Sequence, residues 1–338
     1  MWINGLKWMF LIIGTTIGAG YASGRELWQF FGAESGLAIL IFTVLFMIST
    51  LTLMGISYKQ RTGDYLPLLR LIVGKPLTKV YDLMIIVYLF SVSVVMLAGG
   101  GATLEVFALP YLFGIVFMAC LLVCLFIWDI KGMTSVNGLL IPVLITGLVA
   151  VLVSFLLKQD FSLQVSLAEQ KNWTSSLPFT ALNILPLIAV LAAIGSEIKT
   201  KGEIVIAAVG SALILGTLTF IYNESLLLVA DKMSTYEIPL FAILQYYPNY
   251  LLLFMTVILW IAIFTTAAAG MLGLISRFRQ YVKLPTWFIA VILLLLMIPL
   301  TSFGFATLVA FLYPLYGVLN LYVLASILLY AIAERAKN

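Results

Sequence analysis

The sequence predicts an all-α integral membrane protein with ten transmembrane helices in a 5+5 inverted repeat, helices 1 and 6 being discontinuous. Three observations carry that expectation. Of the 338 residues, 63% are hydrophobic and 9% charged, whereas a soluble domain carries about 25% charged residues. The apolar residues gather into ten runs of 16 to 37 residues, and a helix needs roughly 20 to span a bilayer. The first run holds Gly14, Gly18, Gly20 and Gly24, and each glycine weakens a helix by about 1 kcal/mol relative to alanine.

The runs cover 6–32, 35–57, 77–107, 109–128, 134–157, 177–200, 204–229, 240–276, 285–300 and 303–332. Between the second and third, 60–76 carries Pro67 and several bases, which suits a short helix at the membrane surface. The longest polar connection, 158–176, divides the chain into residues 1–157 and 177–338, with five runs each. An odd number of spans per half makes the halves point in opposite directions, as in an inverted-topology repeat. No polar stretch is long enough to fold alone, so the halves and their extracellular connection form one transmembrane domain. Lys7 before an apolar run mimics a secretory leader, but Gly14 interrupts that run and more spans follow; a cleaved leader is not expected.

Orientation follows from Lys and Arg, which concentrate in cytoplasmic loops. With the N-terminus inside, the cytoplasmic set is Lys7; Lys59, Arg61, Arg70, Lys75 and Lys79; Lys131; Lys199 and Lys201; Arg277, Arg279 and Lys283; Arg335 and Lys337. Arg25, Lys158, Lys171 and Lys232 fall outside. Fourteen against four of the 18 basic residues supports ten spans with both termini cytoplasmic.

Composition also excludes. The chain has no histidine, which removes the commonest general base, proton relay and metal ligand. With no metal-ligand cluster and no nucleophile beside a base, an enzyme is not expected. Cys120 and Cys124 lie four apart in an apolar run and read as small buried apolar residues rather than a metal or redox pair. No basic patch marks a nucleic-acid partner, and no protein partner is expected.

Polar groups at membrane depth are the candidates for function. Two readings stand for Ile13 to Glu26. One is a break that frees the amides from Gly18 to Tyr21, whose positive helix end suits a carboxylate. The other is close helix packing, since Gly14 and Gly18, like Gly20 and Gly24, have the GxxxG spacing. Thr15, Thr16, Tyr21, Ser23, Arg25 and Glu26 add polarity that packing does not need. In span 6, inverted symmetry favours a break at Ala192, Ala193, Ile194 and Gly195, before Glu197; Asn183 to Pro186 is the alternative, because proline removes a helix hydrogen bond and breaks or merely kinks the helix. In span 8, the hydroxyls of Thr265 and Thr266 and the carbonyl of Ala262 offer three oxygens to a small hard cation, although threonine hydroxyls also bond back within their own helix. Arg25 closes an outer gate onto Glu105 or Glu224, or these charges sit among headgroups. Asp82, Asp129 and Glu203 read as solvated helix ends, and Gly99 to Gly101 as close helix packing.

These residues resemble the LeuT-fold transporters of the amino acid–polyamine–organocation superfamily, over nearly the whole chain. The chain is also similar to the YkvI group of bacterial membrane proteins, a match that names no substrate. Thr16-Ile17-Gly18-Ala19-Gly20-Tyr21 resembles the first-helix Ile-Gly-Ser-Gly-Ile-Phe pattern of amino acid permeases. Ala193-Ile194-Gly195-Ser196-Glu197 resembles the sixth-helix pattern in which Gly and Glu follow the break that meets the substrate amine. Ala262, Thr265 and Thr266 match the eighth-helix Ala-x-x-(Ser/Thr)-(Ser/Thr) pattern of sodium-coupled members. Three departures stand out: span 1 brings no carboxylate to the substrate backbone, its Arg25 is displaced by one position, and the sixth-helix stretch lacks aromatic residues.

The resemblance implies a sodium ion on Ala262, Thr265 and Thr266 with the first-helix carbonyls of Gly14 and Ile17. It implies a solute against Thr16, Gly18, Ala19, Gly20, Ala192, Ala193, Ile194 and Gly195, with gating charges at Arg25, Glu105, Glu197 and Glu224. The implied protein is a symporter in a bacterial plasma membrane, moving an amino acid or related small organic solute with sodium and no other cofactor. Its partners are the solute and the lipid bilayer. Proton coupling through Glu197, Glu105 or Glu224 and a non-transporting receptor resembling permease-like germination proteins are the alternatives.

Overall fold

The computed structural model describes residues 1–63, 65–128, 133–159, 170–279 and 283–335. Asp129, Lys131 and Lys337, with residues 160–169 of the connection, lie outside the described residues. The regular structure is helical: α1 (Trp2–Thr16), α2 (Ala19–Ala22), α3 (Arg25–Phe30), α4 (Gly36–Gln60), α5 (Tyr65–Val73), α6 (Lys75–Glu105), α7 (Tyr111–Trp128), α8 (Met133–Lys158), α9 (Ser176–Ala193), α10 (Lys201–Leu227), α11 (Pro239–Leu244), α12 (Asn249–Phe278), α13 (Thr286–Met297), α14 (Phe305–Leu319) and α15 (Leu321–Arg335). Among the described residues, eight helical stretches are long and apolar enough to cross a membrane, and Tyr111–Ile127 is a shorter apolar one.

The first apolar run is not among the eight because it is interrupted. α1 stops at Thr16; Ile17 (φ −78°, ψ 75°) and Gly18 (φ −81°, ψ −178°) leave helical geometry before α2 begins. A second turn falls at Gly24, whose φ of 79° is left-handed. A Cβ on Gly24 would stand 2.7 Å from the Tyr222 hydroxyl, which is buried and donates to Ala22 O at 3.0 Å. Gly18 has no neighbour within 4 Å of the same point. The left-handed conformation costs about 1–2 kcal/mol for a residue with a side chain, and a lost buried hydrogen bond about another 1 kcal/mol. Gly24→Ala should therefore lower the melting temperature in detergent markedly, and Gly18→Ala by much less; equal effects would refute this assignment.

Span 6 differs from expectation. α9 runs as one helix to Ala193 with Pro186 inside it. Ala192–Gly195 form its end, not a break within it. Thr62 Oγ1 donates to Ala192 O at 2.8 Å and Ser196 N donates to Thr62 O at 3.1 Å. A Cβ on Gly195 would meet Ser57 O at 2.6 Å. Glycine is needed there so that the chain leaving α4 can satisfy the last carbonyls of α9.

α1 packs on α10, α9 on α4, α4 on α10, and α6 on α12. The α6–α12 pair is antiparallel: Gly99 faces Ile263, Ser93 faces Gly270, Leu89 faces Gly273 and Asp82 meets Arg277. Glu203 and Asp82 are not the solvated ends expected. Glu203 is 1% exposed and accepts from Trp8 Nε1 at 3.4 Å and Lys199 N at 3.2 Å, tying α1 to the start of α10.

Candidate functional site

A cavity of about 450 Å³ lies where the interruption after α1 faces α6, α9 and α12. Thr15, Thr16, Gly18, Ala19 and Gly20 form one wall, and Leu182, Asn183 and Pro186 of α9 another. Thr266, Gly270, Gly273 and Arg277 line it from α12, so it follows one helix face for about 16 Å at 1.5 Å per residue. Tyr88, Leu89, Val92 and Met96 of α6 line the facing side, and most of the wall is apolar.

The expected solute contacts divide. Thr16, Gly18, Ala19 and Gly20 are on the cavity; Ala192, Ala193, Ile194 and Gly195 are not. The α9 contribution comes from the alternative stretch around Asn183 and Pro186. Proline leaves the carbonyl four residues back, at Leu182, without its helix donor, and Leu182 lines the cavity. Thr16 Oγ1 is buried without a hydrogen-bond partner among the described residues, a state that costs about 1–3 kcal/mol.

Glu26 is the residue that sequence reasoning misplaced. Span 1 does bring a carboxylate to the cavity. Glu26 is 6% exposed, lines the cavity, and accepts from Asn183 Nδ2 at 3.3 Å. Its Oε2 lies 3.0 Å from where a Cβ on Gly20 would stand, and the Tyr313 hydroxyl lies at the same distance. The left-handed turn at Gly24 returns α3 toward α2, and the bare Gly20 leaves space for both groups.

The proposed cation ligands sit partly on the same wall. Thr265 and Thr266 hydroxyls both donate to Ala262 O, at 3.1 and 2.8 Å. A hydroxyl that donates backward keeps its acceptor lone pairs. Thr266 lines the cavity with the interruption, whereas Thr265 and Ala262 are buried behind it. Ile17 is buried beside the interruption and Gly14 packs against Ile141 of α8.

The gating charges are arranged otherwise than expected. Among the described residues no ion pair includes Arg25, and its Nε is buried without a partner. Glu224 accepts from Asn223 Nδ2 at 3.5 Å. Glu237, a carboxylate outside the expected set, accepts from Ala306 N at 2.7 Å at the start of α14. Glu105 is the last residue of α6. Glu197 pairs with Lys7 at 3.4 Å on an exposed surface. A third cluster was not anticipated: Arg277 Nη2 meets Asp82 Oδ1 at 2.7 Å, the Tyr65 hydroxyl donates to the same oxygen, and the Tyr65 ring lies 5.3 Å from the guanidinium carbon. No motif links these three positions, so only the fold could assemble them.

A helical membrane bundle whose first span is interrupted beside a cavity has features of the LeuT fold, and the solved structures it matches share that fold. The fold is shared with the Eremococcus coleocola manganese transporter in complex with an aromatic bis-isothiourea substituted compound (TM-score 0.58, 15% identity, 98% of this chain and 77% of that one). It is shared also with Mhp1 in its inward-facing conformation (TM-score 0.54, 17% identity, 92% and 72%). No protein-family model matches the chain. Over 337 residues it is 51% identical to the "Uncharacterized protein YyaD" of Bacillus subtilis (strain 168), covering 100% of both chains. It is 25% identical over 329 residues to the "Uncharacterized membrane protein YkvI" of the same organism, covering 94% of each. The chain belongs to the YyaD family, close to the YkvI group, within the LeuT fold.

Proposed function

We propose that this protein is a secondary active symporter that moves a small organic solute, an amino acid or related compound, together with sodium. One observation carries the reading: Thr266 of α12 and the interrupted backbone from Thr16 to Gly20 share one cavity. A cation held between them ties α12 to the first span and shifts the conformational equilibrium by its differential affinity for the two states. The cavity offers the Glu26 carboxylate, the Arg277 guanidinium at its far end, neutral oxygens and apolar groups, which suits a small organic solute better than a transition metal as cargo.

The architecture behind the reading is ten spans in a 5+5 inverted repeat: the eight long helical stretches, the shorter Tyr111–Ile127, and the interrupted first run. A two-fold relation between halves exchanges spans 1 and 6 and spans 2 and 7. It would turn the α1–α10 contact into the α9–α4 contact, and both are present. Lys7 pairs with Glu197, Arg61 donates to Ile198 O and Arg277 pairs with Asp82, and basic residues concentrated at helix ends support a cytoplasmic side there.

The test is counterflow in proteoliposomes across a panel of amino acids and amines, with sodium or potassium at equal ionic strength. Sodium-dependent uptake should appear for at least one solute and fall about tenfold or more in Thr266→Ala, the equivalent of about 1.4 kcal/mol of lost coupling. Uptake indifferent to sodium overturns the coupling ion. No uptake of any panel member, with solute binding intact, favours a receptor.

A further inference from the structure

We infer that Glu26 is the subsite for a positively charged nitrogen, so that the solute is an organic monocation: an amine on an apolar body. The inference rests on the solute-binding cavity of the reading above and narrows its solute from an amino acid or related compound to an amine without a carboxylate. Glu26 lines the cavity at 6% exposure. Its recorded hydrogen bond comes from a neutral amide, that of Asn183, and among the described residues no ion pair includes it. The basic side chain on the same cavity, Arg277, stands at the far end of the α12 face and is held by Asp82. A buried carboxylate is costly unless paired or neutralised, so the cavity is complementary to a cation brought in with the solute.

Position sharpens the chemistry. Glu26 Oε2 and the Tyr313 hydroxyl converge on the same point above Gly20, and Tyr88 adds a second aromatic wall. A carboxylate flanked by phenol rings suits an ammonium, which takes hydrogen bonds to oxygen and attraction from ring faces together. A solute carboxylate placed at the α2 amides would meet the like charge of Glu26 beside Gly20. Ile85, Leu89, Val92, Leu182 and Val190 complete an apolar wall for the rest of the molecule.

The test uses the full-length protein in detergent, in potassium chloride at pH 7. Four amines from ethylamine to tryptamine are titrated, each against the carboxylate with a matching carbon body, and apparent affinities are read from thermal stabilisation. At least one amine should bind about tenfold or more tightly than its carboxylate partner. Glu26→Gln should erase the preference and Glu26→Asp should keep it with weaker affinity. The wild-type comparison decides alone if Glu26→Gln fails to fold. Equal binding of amines and carboxylates, no stabilisation by any probe, or a preference that survives Glu26→Gln overturns the inference. So does amine binding that survives in Glu26→Gln while uptake driven by a pH gradient is lost, which would make Glu26 a proton carrier. Glu26-dependent amine binding without any uptake keeps this subsite and removes the transport reading; sodium-driven uptake of an anion, unchanged in Glu26→Gln, does the reverse.

Discussion

Gly114→Val should leave no folded protein after extraction into detergent. The position is where α6 and α7 touch backbone to backbone. A Cβ on Gly114 would stand 2.8 Å from Gly101 Cα and 3.0 Å from Gly100 O, and one on Gly101 would meet the Tyr111 carbonyl at 2.9 Å. A flexible neighbour could turn away, but backbone cannot without moving a helix. Membrane helices gain no hydrophobic drive from meeting each other, and small residues that permit close approach supply much of their association. Overpacking usually costs about 1–3 kcal/mol, and more where backbone must shift. Here α6 would move, and α6 carries one whole side of the cavity. Size-exclusion chromatography should show an aggregated peak for Gly114→Val and a monodisperse peak of lowered melting temperature for Gly114→Ala. Gly55→Val, where nothing lies within 4 Å of the added carbon, should behave as wild type. A monodisperse, thermally unchanged Gly114→Val would contradict the α6–α7 contact.

The same contact illustrates what a sequence discloses. Gly99 to Gly101 read correctly as packing, because three consecutive glycines in an apolar run have little other use. Their partner Gly114 was invisible, since one glycine in an apolar helix carries no pairing information. The interruption after Thr16 was legible for a local reason: glycines and polar residues within one short stretch. Glu26 was not, because its destination depends on the sign of φ at Gly24, and glycine adopts either sign without cost. Inverted symmetry misled at span 6. A pseudo-two-fold relates the paths of helices, not the residues that weaken them, and the second half carries its irregularity at Pro186 while Gly195 serves a tertiary contact. Arg25 was no more legible: pairing between distant segments is read from depth alone, and depth does not fix lateral neighbours.

Asp82→Asn should open the end of the cavity that Tyr65 and Arg277 line. Tyr65 and Arg277 line that end, and Asp82 joins them across three helices, α5, α6 and α12. Under the transport reading proposed above, a solute leaving along the α12 face toward this end would pass between them. The two charged side chains are 24% and 31% exposed, so the pair lies between a solvent-screened contact worth about 0–1 kcal/mol and a charged hydrogen bond worth about 1.5–3 kcal/mol. Removing the charge while keeping the shape should cost the closed arrangement about 1–1.5 kcal/mol, roughly a tenfold shift in the population that admits a probe. With Cys120 and Cys124 replaced by alanine, Ala269→Cys places a thiol on the cavity wall, where a hydrophilic thiol reagent can report access. Its modification from the side of the Asp82–Arg277 pair should accelerate about tenfold in Asp82→Asn and similarly in Arg277→Gln. The double variant should react no faster than either single one, since both remove one interaction and its loss is counted once. Additive acceleration would mean that the two residues restrain the cavity independently, and an unchanged rate would mean that they border it without closing it.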